Sequence, residues 1–141
     1  MNKKNTLLLF LCLFTLWAVA QEKKPVKIAC VGNSITYGSG IKNQFQNSYP
    51  GLLSQLLGEG YDVRNFGISA RVMLNKGDHP YMHEQKFRDL LAFQPDIVTI
   101  KLGTNDSKPW NWCYGKDFGK DLTEMLDILQ DLPSKPKIYL C

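Results

Sequence analysis

The chain has 141 residues, with 17 basic and 13 acidic side chains and a formal net charge of +4. This length predicts a single domain. The charge is modest and no run of basic residues occurs, so the composition excludes a nucleic-acid-binding surface built on clustered Lys and Arg.

The first twenty residues, "MNKKNTLLLFLCLFTLWAVA", have the pattern of a secretory signal peptide. Lys3 and Lys4 form a basic start, residues 7–17 are apolar, and small residues follow. The apolar run is shorter than the roughly 20 residues that span a bilayer, although an uncleaved anchor is an alternative. We therefore predict a signal peptide at residues 1–20 and a secreted or periplasmic domain at residues 21–141, without stable membrane insertion after cleavage.

The predicted domain contains three cysteines, Cys30, Cys113 and Cys141. No two of them have the spacing of a metal site, and an odd number cannot complete a disulfide framework. Cys30 lies inside an apolar run, which predicts a buried thiol.

Strands are predicted to alternate with helices along the domain. In chain order we expect a strand at residues 26–32, a helix at 49–60, a strand at 61–67, a helix that carries Phe87, Leu90, Leu91 and Phe93, a strand at 96–103, a helix at about 117–132 and a strand at 137–141. Glycine ends each of the first three strands, and Pro95 stops the second helix. The alternation predicts a parallel sheet with helices on both faces, a three-layer α/β/α fold of flavodoxin-like type.

The fourth predicted strand has no loop or helix after it. An exposed apolar strand at the edge of a sheet is an aggregation hazard. We therefore expect the domain to be incomplete at its C-terminus.

Small polar residues follow each of the first three predicted strands, in the segments "GNS", "FGIS" and "GTND". In a parallel sheet, ligands bind beyond the carboxyl ends of the strands. The three loops are therefore expected to form one site.

Ser34 lies in the first of these loops, in "GNSITYG". The segment lacks the glycine spacing of a Walker A loop, of a dinucleotide-binding loop and of the G-x-S-x-G nucleophile elbow. Ser34 is expected to start a loop or helix, where nearby N–H groups favour a developing negative charge. A serine that only caps a helix is the alternative interpretation of this segment.

Gly67 ends the second predicted strand, and Asn105 lies at the end of the third, in "GTND". Both are possible hydrogen-bond donors. Gly67 has no side chain, so its N–H can approach a ligand closely. The Asn105 carboxamide is a neutral donor, although an Asx-turn is the common role of such a residue. Backbone N–H groups and an Asn side chain are the parts of an oxyanion hole.

The segments "VGNSITYG", "NFGISA" and "KLGTNDSKPW" resemble the first three sequence blocks of the SGNH (GDSL-type) hydrolases. The resemblance covers essentially all of residues 21–141. It implies that Ser34 is the nucleophile and that Ser34, Gly67 and Asn105 supply the oxyanion hole, with no metal or cofactor. The "GNSIT" spelling is similar to that of secreted carbohydrate and sialate O-acetylesterases.

The sequence departs from the family pattern in two places. Asn33 replaces the usual Asp before the nucleophile, and no segment matches the last block, in which an Asp and a His supply the general base. His79 and His83 follow the second strand instead and are expected to face solvent. A serine without a base is a weak nucleophile, so the chain alone is expected to be close to inactive.

Trp110 and Trp112 lie just beyond Asn105. They are candidates for stacking on a sugar, and packing as a lid over the third helix is an equal alternative. The combined hypothesis is a serine esterase that removes small acyl groups, mainly acetyl, from a glycan or another small ester. A lysophospholipase or thioesterase is the alternative enzyme, and a binding protein that keeps the pocket without turnover is the alternative from another class.

Overall fold

The computed structural model describes residues 24–141, so the predicted signal peptide at residues 1–20 lies outside the described residues. The elements are β1 (Val26–Gly32), α1 (Ser34–Tyr37), α2 (Gln44–Asn47), α3 (Tyr49–Leu57), β2 (Tyr61–Gly67), α4 (Gln85–Phe93), β3 (Ile97–Lys101), α5 (Pro109–Trp112), α6 (Phe118–Gln130) and β4 (Lys137–Leu140). No helix within this part of the chain has both the length and the apolar character needed to cross a membrane.

The four strands form one parallel sheet in the order β2-β1-β3-β4. Gly32, at the end of β1, is paired with Gly67 of β2 and with Lys101 of β3. The carboxyl ends of these three strands therefore meet at one edge of the sheet. This register places the loops that follow β1, β2 and β3 next to one another.

One face of the sheet, here called the core face, packs against α4 and α6. Successive strand residues point to opposite faces, and the pairing puts alternate apolar residues of three strands on this side. The helices contribute Phe87, Leu90 and Phe93 from α4, and Met125 and Leu129 from α6. The strand residues of the same buried cluster are Ala29, Val31, Phe66, Val98 and Ile100.

The opposite face of the sheet is covered over β1 and β2 by α3. Tyr49, the first residue of α3, has its hydroxyl 3.3 Å from Thr99 Oγ1 of β3. Burial raises the pKa of Tyr49 to about 12 and also raises that of the buried Cys30 thiol. Tyr139 of β4, on the same face, is 54 % exposed, so the cover thins toward β4.

The predicted fold class is confirmed. The last helix and the last strand differ from their predicted bounds by one or two residues, and the short helices α1, α2 and α5 were not predicted. The third strand is Ile97–Lys101 instead of 96–103, because Gly103, with φ 111°, turns the chain out of the sheet. The predicted first helix ends at Leu57, because Gly58 has φ 71° and residues 58–60 form a 3₁₀ turn. Cys30 is buried as expected, and all three cysteines of the described chain are free thiols.

Replacement of Leu90 by alanine should destabilise the domain. Leu90 is fully buried in the cluster on the core face, and such truncations cost about 2–5 kcal/mol. Leu56→Ala is the matched control, because Leu56 is 84 % exposed and its loss should change the free energy of unfolding by less than about 0.5 kcal/mol. Urea denaturation of both variants checks this, and equal effects would contradict the described packing.

Candidate active site

Ser34 is the first residue of α1 and follows β1 after a single residue. The helix is capped by Asn33, whose Oδ1 accepts the N–H of Ile35 at 3.1 Å. The alternative interpretation of Ser34 as the capping residue is therefore wrong. The Ser34 side chain is half-buried, and within residues 24–141 its hydroxyl has no hydrogen-bond partner.

Asn33 performs the capping that a carboxylate performs equally well at this position. Its side chain is buried, and its Nδ2 has no partner among the described residues. The replacement of the family's usual Asp by Asn33 therefore leaves the start of α1 intact. Gly38, with φ 87°, ends the helix in the left-handed conformation.

Gly67 lies directly against the backbone of α1. A Cβ atom at Gly67 would be 2.3 Å from Tyr37 N and 2.7 Å from the carbonyl carbon of Thr36. The Gly67 N–H donates to Asn65 Oδ1 at 2.9 Å, and Asn65 Nδ2 donates to the Thr36 carbonyl at 2.9 Å. The oxyanion role of Gly67 therefore stays a prediction, and it requires Asn65 to release this N–H.

Asn105 is buried and connects two of the three loops. Its Nδ2 donates to the carbonyl of Arg71 at 3.0 Å, and its own carbonyl accepts from Asn111 Nδ2 at 3.0 Å. The Asx-turn interpretation is not supported, because the N–H of Ser107, two residues after Asn105, donates to the Gly103 carbonyl and not to Asn105 Oδ1. One of the two amide hydrogens of Asn105 remains for a ligand.

Asp106 makes the most buried contact between the loops. One carboxylate oxygen, Oδ1, accepts the N–H groups of Met73 and Leu74, each at 2.8 Å. Asp106 is fully buried, and its Oδ2 has no partner within the described chain. The sequence does not predict these contacts, and the position of Asp106 in the small polar loop after β3 was the single signal of such a role.

Two further side chains fix the same loop. Asp121 Oδ2 of α6 accepts the N–H of Asn75 at 2.7 Å, and Asn111 Oδ1 accepts the N–H of Asp78 at 2.9 Å. Asp78 in turn accepts from Asn111 Nδ2 at 3.0 Å and from Trp110 Nε1 at 3.2 Å. Desolvation raises the pKa of Asp78, but these hydrogen bonds and the nearby positive charge of Lys108 act together in the other direction, and the pKa is lowered.

Arg71, in the loop after β2, is held by an ion pair and a hydrogen bond. Its guanidinium pairs with Glu84 at 2.7 Å and donates to the Ser69 carbonyl at 3.0 Å. Ser69 Oγ lies 2.6 Å from Ser39 Oγ, in the loop after α1. The loops after β1 and β2 are therefore also joined at the surface.

Trp110 and Trp112 are 60 % and 54 % exposed. The ring of Trp112 lies 6.2 Å from that of Phe118 at the start of α6, and Lys108 Nζ lies 5.7 Å from the ring of Trp110. Both rings keep free surface, and Trp112 also covers the start of α6. The substrate-contact role of both residues stays a prediction.

His79 and His83 are exposed, in agreement with the expectation that they face solvent. Neither imidazole forms a hydrogen bond with another residue of 24–141. The sheet register places the loops that carry Ser34 and Asn105 at the same edge as the end of β2. Within residues 24–141, neither histidine forms a hydrogen bond with the Ser34 hydroxyl.

Residues 30–141 match the model of the GDSL-like Lipase/Acylhydrolase family. The chain belongs to this family. The match contains all three strand ends and their loops, so the resemblance of the three sequence blocks to SGNH (GDSL-type) hydrolases is confirmed.

The chain is also similar to a characterised esterase. An acetylxylan esterase of Xylanibacter ruminicola is 50 % identical in an alignment that covers 86 % of this chain and 29 % of that protein. The chain thus spans less than a third of that relative's length.

Solved structures agree with the fold. AlinE4, an SGNH-hydrolase family esterase, has a TM-score of 0.61 at 23 % identity. The match covers 85 % of this chain and 60 % of AlinE4. Est24, a carbohydrate acetylesterase from Sinorhizobium meliloti, has a TM-score of 0.62 at 20 % identity. The match covers 82 % of this chain and 62 % of Est24.

Asp106→Ala should destabilise this GDSL-like domain by at least about 2 kcal/mol. The change leaves two buried N–H groups without an acceptor, and each such donor costs about 1–3 kcal/mol. Asp106→Asn keeps an acceptor oxygen and should cost less. Denaturant unfolding of the wild type and of both Asp106 variants measures these costs, and Asp127→Ala, at an exposed residue of α6, is the control. Equal stability of Asp106→Ala and Asp127→Ala would refute the role of the carboxylate.

Gly67→Ala should displace α1 and destabilise the domain by about 1–3 kcal/mol, because the new methyl group meets backbone atoms that cannot rotate away. Gly60→Ala is the control, since a Cβ at Gly60 meets nothing within 4 Å. Thermal unfolding of the two variants makes the comparison. Equal melting temperatures for the two variants would contradict the close contact between β2 and α1.

Proposed function

We propose that this chain is the nucleophile-bearing part of a serine esterase that removes acetyl or similar small acyl groups from carbohydrates. The observation that carries the proposal is the unpartnered Ser34 hydroxyl at the start of α1, in a chain 50 % identical to an acetylxylan esterase. The pattern at residues 1–20 supports export of the protein, which belongs to the same proposal.

The proposed reaction begins with attack of Ser34 Oγ on the ester carbonyl carbon. A bond forms between Oγ and that carbon, the sugar alcohol leaves with a proton, and water then hydrolyses the acyl-enzyme. The negative charge on the carbonyl oxygen is stabilised by hydrogen-bond donors. The Ser34 N–H, in the first turn of α1, has no acceptor among the described residues and is the first of these donors.

Asn105 supplies a second donor through its remaining amide hydrogen. Its orientation is supported by the hydrogen bond of the same amide to the Arg71 carbonyl. Gly67 is proposed as a third donor after Asn65 moves from its N–H. Removal of one donor of this kind typically lowers kcat about 100- to 1,000-fold.

The general base is proposed to be a histidine outside this chain. The resemblance implies an Asp and a His three residues apart, and neither histidine of the described residues occupies that role. The chain spans 29 % of the acetylxylan esterase, so the proposal includes further sequence that supplies the base. Without it, Ser34 is expected to react slowly.

Labelling with a fluorophosphonate tests the nucleophile in the chain as it stands. We expect slow modification at Ser34, located by peptide mass spectrometry, and loss of this modification in Ser34→Ala. Ser39 and Ser69 lie in adjacent loops and are internal controls. Labelling that is absent, or that is equal at the three serines, would favour the binding-only alternative.

A second measurement tests the substrate class. The chain extended by its native downstream sequence should release acetate from acetylated xylan faster than it hydrolyses long-chain acyl esters. The reverse order would favour the lysophospholipase or thioesterase alternative.

A further inference from the structure

A groove of about 890 Å³ lies between α2 and α3 on one side and the edge strand β2 on the other. Residues 62–65 of β2 form one wall, over a length of about 10 Å at ~3.3 Å per residue. Volumes of 300–1,000 Å³ are typical of ligand sites. The groove is outside the three strand-end loops and is not used by the proposed reaction.

Phe45 of α2 stands at this groove and is 93 % exposed. Its helix is held in place without the ring, because Gln44 Nε2 donates to the Tyr37 carbonyl and Asn47 Nδ2 donates to the Lys42 carbonyl. A phenylalanine that contributes almost nothing to packing offers its ring faces to a ligand.

The other lining residues carry mostly neutral hydrogen-bonding groups, and Lys86 is the one charged lining residue that has no ion pair among residues 24–141. Gln46, Ser54 and Gln55 supply amide and hydroxyl groups from α2 and α3. Asp62 and Arg64 form an ion pair, with 2.8 Å between Arg64 Nη2 and Asp62 Oδ2, so these two charges cancel. An aromatic face beside neutral donors and acceptors suits a sugar, which has apolar C–H faces and a rim of hydroxyl groups.

The groove reaches the candidate active site at Tyr37. Tyr37 lines the groove and lies one helical turn after Ser34 in α1. Lys86 also lines it, donates to the Gly67 carbonyl at 3.3 Å and lies 6.0 Å from the Tyr37 ring. A chain of linked sugars in the groove would therefore continue to the edge of the sheet where Ser34 lies.

We propose that this groove binds the unmodified sugar units of a neutral polysaccharide, with Phe45 as the stacking platform, while an acylated unit lies at Ser34. The inference rests on the proposed esterase function and adds a second binding region to it. Addition of a peptide strand to β2 is the less suitable alternative, because Asp62 and Arg64 place charges along this edge and such charges discourage strand pairing.

The test is a titration of the 141-residue chain with xylohexaose, a linear xylose oligomer without acyl groups, in which NMR monitors binding. We expect shift changes in α2, in residues 62–65 and at Tyr37. Phe45→Ala should raise Kd at least tenfold and Phe45→Trp should keep it within threefold. Leu56→Ala, which removes an exposed side chain outside the groove, should leave it unchanged.

Three results would overturn the inference: no binding by the wild-type chain at millimolar xylohexaose, equal Kd values for wild type and Phe45→Ala, or dimerisation of the wild type that Phe45→Ala abolishes. The last would identify the groove as a contact between two copies. Because the ligand has no ester, failure here with Ser34 still labelled by the fluorophosphonate leaves the esterase proposal intact. Binding of xylohexaose without fluorophosphonate labelling of Ser34 would contradict the esterase proposal and support the sugar-binding groove.

Discussion

The buried carboxylate of Asp106 accepts two backbone N–H groups from the loop after β2, and the arrangement of the candidate site depends on this contact. Loops usually run over the surface, where water satisfies their backbone groups. Here Val72, Met73 and Leu74 are buried, so their polar atoms need partners inside the protein. Val72 bonds to the backbone of His79 and Tyr81, whereas Asp106, from the loop after β3, accepts the N–H groups of Met73 and Leu74 and thereby fixes one loop on the other.

The same contact explains why Asn105 is held in a defined orientation. Its amide donates to the carbonyl of Arg71, two residues before Met73, so the Asp106 contact also sets the acceptor that orients Asn105. On the other side, Gly67 allows β2 to approach the backbone of α1, which carries Ser34. A parallel sheet brings these strand ends together, and buried polar contacts then make the edge rigid enough to orient a donor before a substrate binds.

The sequence predicted most of the fold because the fold follows from local patterns. An apolar run located β1 and an alternating segment located β2, each ended by glycine and each correct to the residue. The spacing of Phe87, Leu90 and Phe93 located α4. It could not predict that Asn33 caps α1 in place of Ser34, that Asn65 engages the Gly67 N–H, or that Arg71 pairs with Glu84. These contacts depend on which of several polar groups come together after the chain folds, and the spacing of residues along the sequence does not predict such pairs.

Hydrogen exchange at the Met73 and Leu74 amides tests most directly whether Asp106 fixes the loop. If the carboxylate holds both N–H groups in the folded state, the two amides should exchange as slowly as those of β1 in the centre of the sheet, although they lie in a loop. Exchange at the rate of the exposed loop residues Lys76 and His79 would contradict the account, because the loop would then open without unfolding of the sheet.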